Sequence, residues 1–253
     1  MENNRKNQVI EWGKNGLILL LTLSALWLAA QTPLAAPLRG LLRELQEIST
    51  LHCTLLGVTP DRNRETHPAF LLAKLCAQVY EDIPAGAEIL LTTQPSSPVR
   101  AVYPRYTAIT VGDKLAAAVY AQWVLVDTET KRILRRTPEA LGLPFSGDPV
   151  PELPVLIPKG DGTEVLVGEE TARYSRCDQN RHLNNTRYAD IICDYLPPER
   201  FQEGPIRELT ISYHREVPMG KTLSLYAREE GPTQYYFQGK GEGQVCFEAG
   251  VRF

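Results

Sequence analysis

Between Leu38 and Leu56 the apolar residues Leu38, Leu41, Leu42, Leu45, Ile48, Leu51, Leu55 and Leu56 return at intervals of three and four, with Arg39, Arg43, Glu44 and Glu47 between them. That spacing lines one face of an α-helix, with Pro37 suited to its first turn and Gly57 to its exit. A polar loop, Thr59 to His67, leads into strand-like runs at Phe70–Tyr80, Ala87–Thr93, Ala101–Val111 and Lys114–Val126, separated by turn residues at 84–86, 95–98 and 112–113. The same theme returns after residue 162. A short strand near Glu164–Ala172 precedes a helix over Asn185–Leu196, which Pro197-Pro198 stops, and strand-like runs follow at Ile206–Val217, Lys221–Glu229, Gln234–Gly241 and Gln244–Phe253. A helix followed by antiparallel strands, twice, predicts an α+β protein built from a duplicated unit, each helix buried against its own meander. The units are residues 1–136 and 163–253.

Between them, residues 137–162 hold six prolines and four glycines, too many for a helix or a central strand, and read as a connector crossing the surface. Residues 16–30 are an uncharged run of fifteen, short of the roughly 20 that span a bilayer. The run suits a buried core segment of the first unit; a targeting or membrane-contacting segment is the alternative. Residues 1–36 as a whole fit the unit least well.

Composition narrows the function. A net charge of −3 and a pI near 5.9 leave no footprint for nucleic acid. Five scattered cysteines without a C-x-x-C pair, and four histidines without ligand spacing, argue for a reducing, cytoplasmic setting with no structural metal and no cofactor.

Polar chemistry concentrates in the segment from Cys177 to Tyr188. Asp178, Asn180 and His182 alternate just ahead of the second helix, whose start carries unpaired N–H groups and the positive dipole end. His182 carries an imidazole, the side-chain type suited to proton transfer, and a carboxylate or amide can fix its tautomer; the plainer reading is a capping cluster built on Asn184 or Asn185. Glu216, in Ile211-Ser-Tyr-His-Arg-Glu-Val217, is a second candidate, with His214 expected on the same strand face; a charged, solvent-facing strand edge is its plainer reading.

The order Asp178-x-Asn180-x-His182-x-Asn184-Asn185-x-x-Tyr188, followed by Tyr213-x-Arg215-Glu216, resembles the acyl-acyl carrier protein (acyl-ACP) thioesterases of plants and bacteria. His182 and Glu216 stand 34 residues apart, as in that family. Tyr103-Pro-Arg105, the strand end Trp123–Asp127 and Arg132-Ile-Leu-Arg135 extend the likeness into the first unit, so that it covers roughly Leu38 to Phe253. Two departures stand out: Val217 follows the motif glutamate where plant members have cysteine, and Arg181 precedes the histidine where glutamine is common.

The resemblance implies two tandem hotdog units and hydrolysis of fatty acyl-ACP to free fatty acid and carrier, with Asp178, Asn180, His182 and Glu216 as the catalytic network. It further implies an apolar acyl tunnel in the first unit, with Asn184, Asn185, Tyr188 and Trp123 at the substrate. Amides at the start of the second helix, with Asn180, would hold the oxyanion, and Asp178 would be either a nucleophile or a second polariser of water. An acidic carrier needs a basic surface, for which Arg100, Arg105, Lys131, Arg132, Arg135, Arg136, Arg181 and Arg187 are the pool. A hotdog acyl-CoA thioesterase or dehydratase, and a non-catalytic acyl-lipid-binding protein, stay open as alternatives, as do membrane contact through residues 16–30 and a homodimer.

Overall fold

The computed structural model describes residues 7–13, 16–22, 36–57, 68–84, 87–127, 129–130, 132–135, 149–158 and 160–253. Eleven strands form one antiparallel sheet: β1 (Asn7–Gly13), β2 (Gly16–Thr22), β3 (Pro68–Val79), β4 (Glu88–Pro95), β5 (Val102–Val111), β6 (Lys114–Asp127), β7 (Val165–Thr171), β8 (Glu208–Tyr213), β9 (Thr222–Gly231), β10 (Gln234–Gly241) and β11 (Gln244–Arg252). Their spatial order is β1-β2-β4-β5-β6-β3-β8-β11-β10-β9-β7. Among the described residues three α-helices accompany them: α1 (Ala36–Leu55), α2 (Arg187–Asp194) and α3 (Pro198–Glu203).

The order repeats itself. In the first half β2 precedes α1, and the four later strands lie β3-β6-β5-β4 outward from the centre, with β2 beyond β4. In the second half β7 precedes α2, and the later strands lie β8-β11-β10-β9, with β7 beyond β9. The halves join where β3 pairs β8, from Lys74 opposite Ser212 to Gln78 opposite Glu208. The Gln78 amide donates to the Glu208 carboxylate across that seam at 2.9 Å. A helix and an antiparallel run of strands thus occur in each half of the sheet.

α1 buries Leu38, Leu42, Leu45, Ile48 and His52, a stripe stepping by three or four residues. The stripe is narrower than the sequence pattern suggests: Leu51 and Leu55 are exposed, and an imidazole occupies the place a leucine would take. The helix stops at Gly57, whose positive φ lets its N–H turn back onto the Thr54 carbonyl. α1 touches α2, and one apolar core runs from Leu38 through Ile89 and Ile109 to Tyr188, Phe237 and Phe247.

Residues 16–22 are a strand, paired with β1 on one side and with β4 on the other. Among the described residues no helix is long and apolar enough to cross a membrane. One expectation needs correcting: the second helix is short, covering eight residues rather than the whole of 185–196. Asn184 accepts the N–H and hydroxyl of Thr186 in a side-chain turn that delays its start, and the chain tightens at Tyr195, whose N–H bonds the Ile192 carbonyl. Half of the proline-rich connector, like the Thr59–His67 loop, lies outside the described residues; 149–158 and 160–162 hold no helix or strand.

Candidate functional site

The segment that carries Asp178 and His182 is a tight hairpin, closed five residues before α2 begins, and not the helix end itself. Cys177 pairs with Leu183, the Asp178 N–H reaches the His182 carbonyl at 2.8 Å, and the Arg181 N–H closes the turn on the Asp178 carbonyl at 3.0 Å. Arg181 takes a positive φ of 62°, the left-handed conformation the reversal demands of a residue that is not glycine. The Asp178 carboxylate reinforces the turn, its Oδ1 accepting the N–H groups of Asn180 (2.8 Å) and His182 (3.2 Å). Short aspartate side chains favour this local bonding.

The returning arm then pairs with the chain that leaves β8. His182 bridges Pro218, the Leu183 N–H bonds the Val217 carbonyl at 2.9 Å, and the Met219 N–H bonds the Arg181 carbonyl at 2.8 Å. β8 ends at Tyr213, so Glu216 lies past the strand and alternation no longer governs it. Its Oε1 stands 3.7 Å from His182 Nδ1. His214 pairs instead with Glu248 at 2.8 Å, so the two side chains expected on one face serve different partners. The sequence-predicted residues His182 and Glu216 therefore meet, Asp178 supports them through the main chain, and Asn180 is exposed at the turn.

A second tie holds the two arms. Tyr213, the last residue of β8, donates its hydroxyl to the Asn185 carbonyl at 3.1 Å, and its ring meets Tyr188 edge-on with centroids 5.2 Å apart. Burial holds the Tyr213 phenol well above its ordinary pKa, with Tyr188 a smaller contributor, so it remains a donor. Tyr188 itself is core, packed against Tyr213 and Phe247, and burial likewise raises its pKa.

Next to this tie opens a pocket of about 470 Å³, including the part open to solvent. α1 supplies Leu42, Leu45, Gln46 and Ser49 to its lining; Leu72 and Leu75 come from β3, and Val119, Ala121 and Trp123 from β6. Arg105 and Thr107 of β5 complete the first half's share, while Asn185, Thr186 and Tyr213 come from the second half. The predicted substrate residues Trp123 and Asn185 are thus at the wall; Asn184 stands behind it, engaged in the turn with Thr186. Two expectations fail here. Arg105 is only 6% exposed and cannot belong to a docking surface. The Thr186 and Arg187 amides are already bonded to Asn184, so neither is free for an oxyanion.

Sequence reasoning passed over Tyr213 as a tie, His52 and Arg105 as buried polar groups, and Arg215 as an exposed cation beside Glu216. His52 had a signal: it lies four residues after Ile48, on the buried stripe. Among the described residues no cluster of three or more histidine, cysteine or acidic side chains is arranged to hold a metal.

Comparison with known proteins gives this architecture its kin. The acyl-ACP thioesterase N-terminal domain model matches residues 31–143 and the C-terminal domain model residues 162–249, together most of the chain. An Arabidopsis thaliana oleoyl-acyl carrier protein thioesterase 2 (chloroplastic) is 22% identical over an alignment 212 positions long that covers 75% of this chain and 57% of that protein. The chain spans less than two thirds of the length of the curated plant relatives it matches. The 12:0-ACP thioesterase from Umbellularia californica superposes with a TM-score of 0.82 at 16% identity, covering 96% of this chain and 98% of that one. An acyl-ACP thioesterase from Bacteroides thetaiotaomicron gives 0.75 at 23% identity, over 85% and 88%. With both of its domain models matched in order and the fold shared throughout, the chain belongs to the acyl-ACP thioesterase family.

Proposed function

We propose that this protein hydrolyses the thioester of a fatty acyl group carried on acyl carrier protein, releasing the fatty acid and the carrier thiol, with His182 and Glu216 managing the proton. The observation that carries this reading is the 3.7 Å approach of His182 Nδ1 to Glu216 Oε1, on a hairpin leading within three residues to Asn185 at the wall of a mainly apolar pocket. A separation of 3.7 Å is an ion-pair distance, longer than a hydrogen bond, and catalytic pairs commonly close only around substrate. With Glu216 turned to Nδ1, the other ring nitrogen is left to take the proton of an attacking water. Water adds to the thioester carbonyl, the tetrahedral oxyanion collapses with cleavage of the C–S bond, and the proton passes to the departing thiolate.

Asp178 positions His182 through the two N–H groups it accepts. Only Oδ1 is engaged in this way, so the second carboxylate oxygen keeps both a polarising role and direct attack available. Asn180, exposed at the turn, is the proposed amide donor to the oxyanion. Arg181 and Arg215 immediately precede His182 and Glu216, are exposed, and form no ion pair among the described residues; they form the core of the proposed docking surface for an acidic carrier, replacing Arg105.

Thiol release from a chain-length series of acyl-ACPs, beside acyl-CoAs of the same lengths, tests the reading. The wild type is expected to prefer the ACP series, and Asp178→Ala, His182→Ala and Glu216→Ala should each cost at least about a hundredfold. Full activity in all three variants would refute it, and equal or better turnover of acyl-CoA would refute the carrier.

A further inference from the structure

The wall of the pocket farthest from the hairpin holds a charge that thioester hydrolysis does not use. Arg105 of β5 donates through Nη1 to His52 Nδ1 and Thr93 Oγ1, both at 3.1 Å, and through Nη2 to Cys53 Sγ at 3.5 Å. Thr93 in turn shares a hydrogen bond with Thr107 at 2.9 Å. Among the described residues no carboxylate pairs with the guanidinium, whose five N–H donors meet an imidazole, a hydroxyl and a sulfur, and which stays protonated. Burial pushes its ionisation below the ordinary arginine range, a mark of how poorly the charge is solvated. An uncompensated cation in such a place is costly and is ordinarily paired.

A second polar group in the pocket lacks an acceptor outright. Trp123 lines the same pocket, and among the described residues its buried Nε1–H has no hydrogen-bond partner. Buried indole N–H groups usually find one. A pocket that needed only to hold an alkyl chain would gain nothing from a cation without a carboxylate and an indole N–H without an acceptor.

Register places these donors along the pocket. Tyr213 ends β8, Leu75 of β3 lies opposite Ile211 of β8, Ala121 of β6 lies opposite Leu75, and Arg105 of β5 lies opposite Ala121. Three steps of roughly 4.8 Å put Arg105 about 14 Å across the sheet from β8, with Trp123 about one step nearer. A staggered alkyl chain advances about 1.25 Å per carbon, from a bond of about 1.52 Å opened to about 111°. An acyl chain that passes Tyr213 and Asn185 thus meets Arg105 after on the order of ten carbons.

Resting on the thioesterase reading, we propose that the pocket selects a medium-length acyl chain carrying an oxygen acceptor at or near its far end (a hydroxyl, oxo or carboxylate group) received by Arg105 and Trp123. Such an oxygen supplies a carboxylate or polar partner for the guanidinium and the acceptor that the indole lacks. A methyl terminus leaves the charge without that partner and the indole N–H without an acceptor, and sites built to hydrogen-bond a substrate group discriminate strongly against analogues without it.

The test is kcat/KM for ACPs charged with chains of about ten to twelve carbons that end in methyl, hydroxyl or carboxylate, using the full-length wild type, Arg105→Met and Trp123→Phe. The quantity read is the ratio of oxygenated to plain substrate. It should be at least about tenfold in the wild type, fall to about one in Arg105→Met, and drop several-fold in Trp123→Phe. Preference for the carboxylate alone marks an ionic contact, and equal preference for the hydroxyl marks a hydrogen bond; both support the proposal. A wild-type ratio of one or less overturns it, as does a ratio that neither variant moves, or an Arg105→Met enzyme that merely accepts longer plain chains. Should Arg105→Met fail to fold, Trp123→Phe and thermal shifts of the wild type by the free acids decide, with larger shifts expected from the oxygenated acids and equal shifts counting against the proposal. Those shifts also keep the two readings apart, since absence of hydrolysis on every acyl-ACP would sink the thioesterase reading while acid binding still reports on the pocket.

Discussion

Replacing Tyr213 by phenylalanine probes how the two arms of the site are held together. The hydroxyl joins the end of β8, three residues before Glu216, to the Asn185 carbonyl, three residues after His182. Phenylalanine keeps the ring and its edge contact with Tyr188 but leaves that carbonyl at the pocket wall without its partner. A neutral hydrogen bond contributes about 1 kcal/mol, and an orphaned carbonyl brings the cost to about 1–2 kcal/mol if water does not reach it. For a protein of this size that lowers Tm by about 2–6 °C. The same free energy, drawn from the fraction of molecules with His182 and Glu216 in register, corresponds to a fall in kcat of about five- to thirtyfold, at about 1.4 kcal/mol per factor of ten. Steady-state thiol release together with thermal unfolding measures both quantities. No change in either would show that the tie does not align the site. A fall beyond about a hundredfold would place the hydroxyl at the reacting atoms, contrary to the assignment made here.

Other consequences are checked more simply. Charge reversal of Arg181 and Arg215 to glutamate should raise KM for acyl-ACP by about tenfold at low salt, with little effect on an acyl-CoA, and added salt should narrow the difference; equal effects on both carriers would remove these arginines from the docking surface. Burial pushes the Cys76 thiol up to about 11, so it is protonated in the folded state. Its contribution to stability is present below the unfolded value near 9 and is lost as pH rises from there towards 11, on the order of 2 kcal/mol. Urea unfolding of the wild type should therefore weaken more between pH 8 and 10.5 than that of Cys76→Ala, and Cys76 should resist alkylation at pH 8 until the chain unfolds.

Much of this fold can be read from the chain because turn residues punctuate it. Gly112-Asp113 and Glu242-Gly243 close two-residue hairpins, and β10 runs between the same residues the pattern marks. The first strands were harder for a physical reason: an apolar run such as 17–21 has no alternation, and periodicity alone cannot tell a covered strand from a buried helix. The site was half legible. Asp178, His182 and Glu216 could be named, but their geometry depends on a left-handed Arg181 and on β8 ending at Tyr213, and neither leaves a clear mark in residue type. Arg105 misled because arginine is ordinarily exposed. Only the register of β5 against β6, with Arg105 opposite Ala121 on the face that meets α1, reveals that it points inward.

The pair at the centre of the account is partly exposed, at 27% for His182 and 42% for Glu216, so it adds little to stability and its variants should fold normally. A double-mutant cycle on kcat/KM for acyl-ACP, with His182→Ala, Glu216→Ala and the two combined, asks directly whether they act as one unit. The expectation is that each single change costs at least about a hundredfold and that the double variant is no worse than the poorer single one. Losses that multiply in the double variant would show two residues working independently, and would contradict a proton-handling pair.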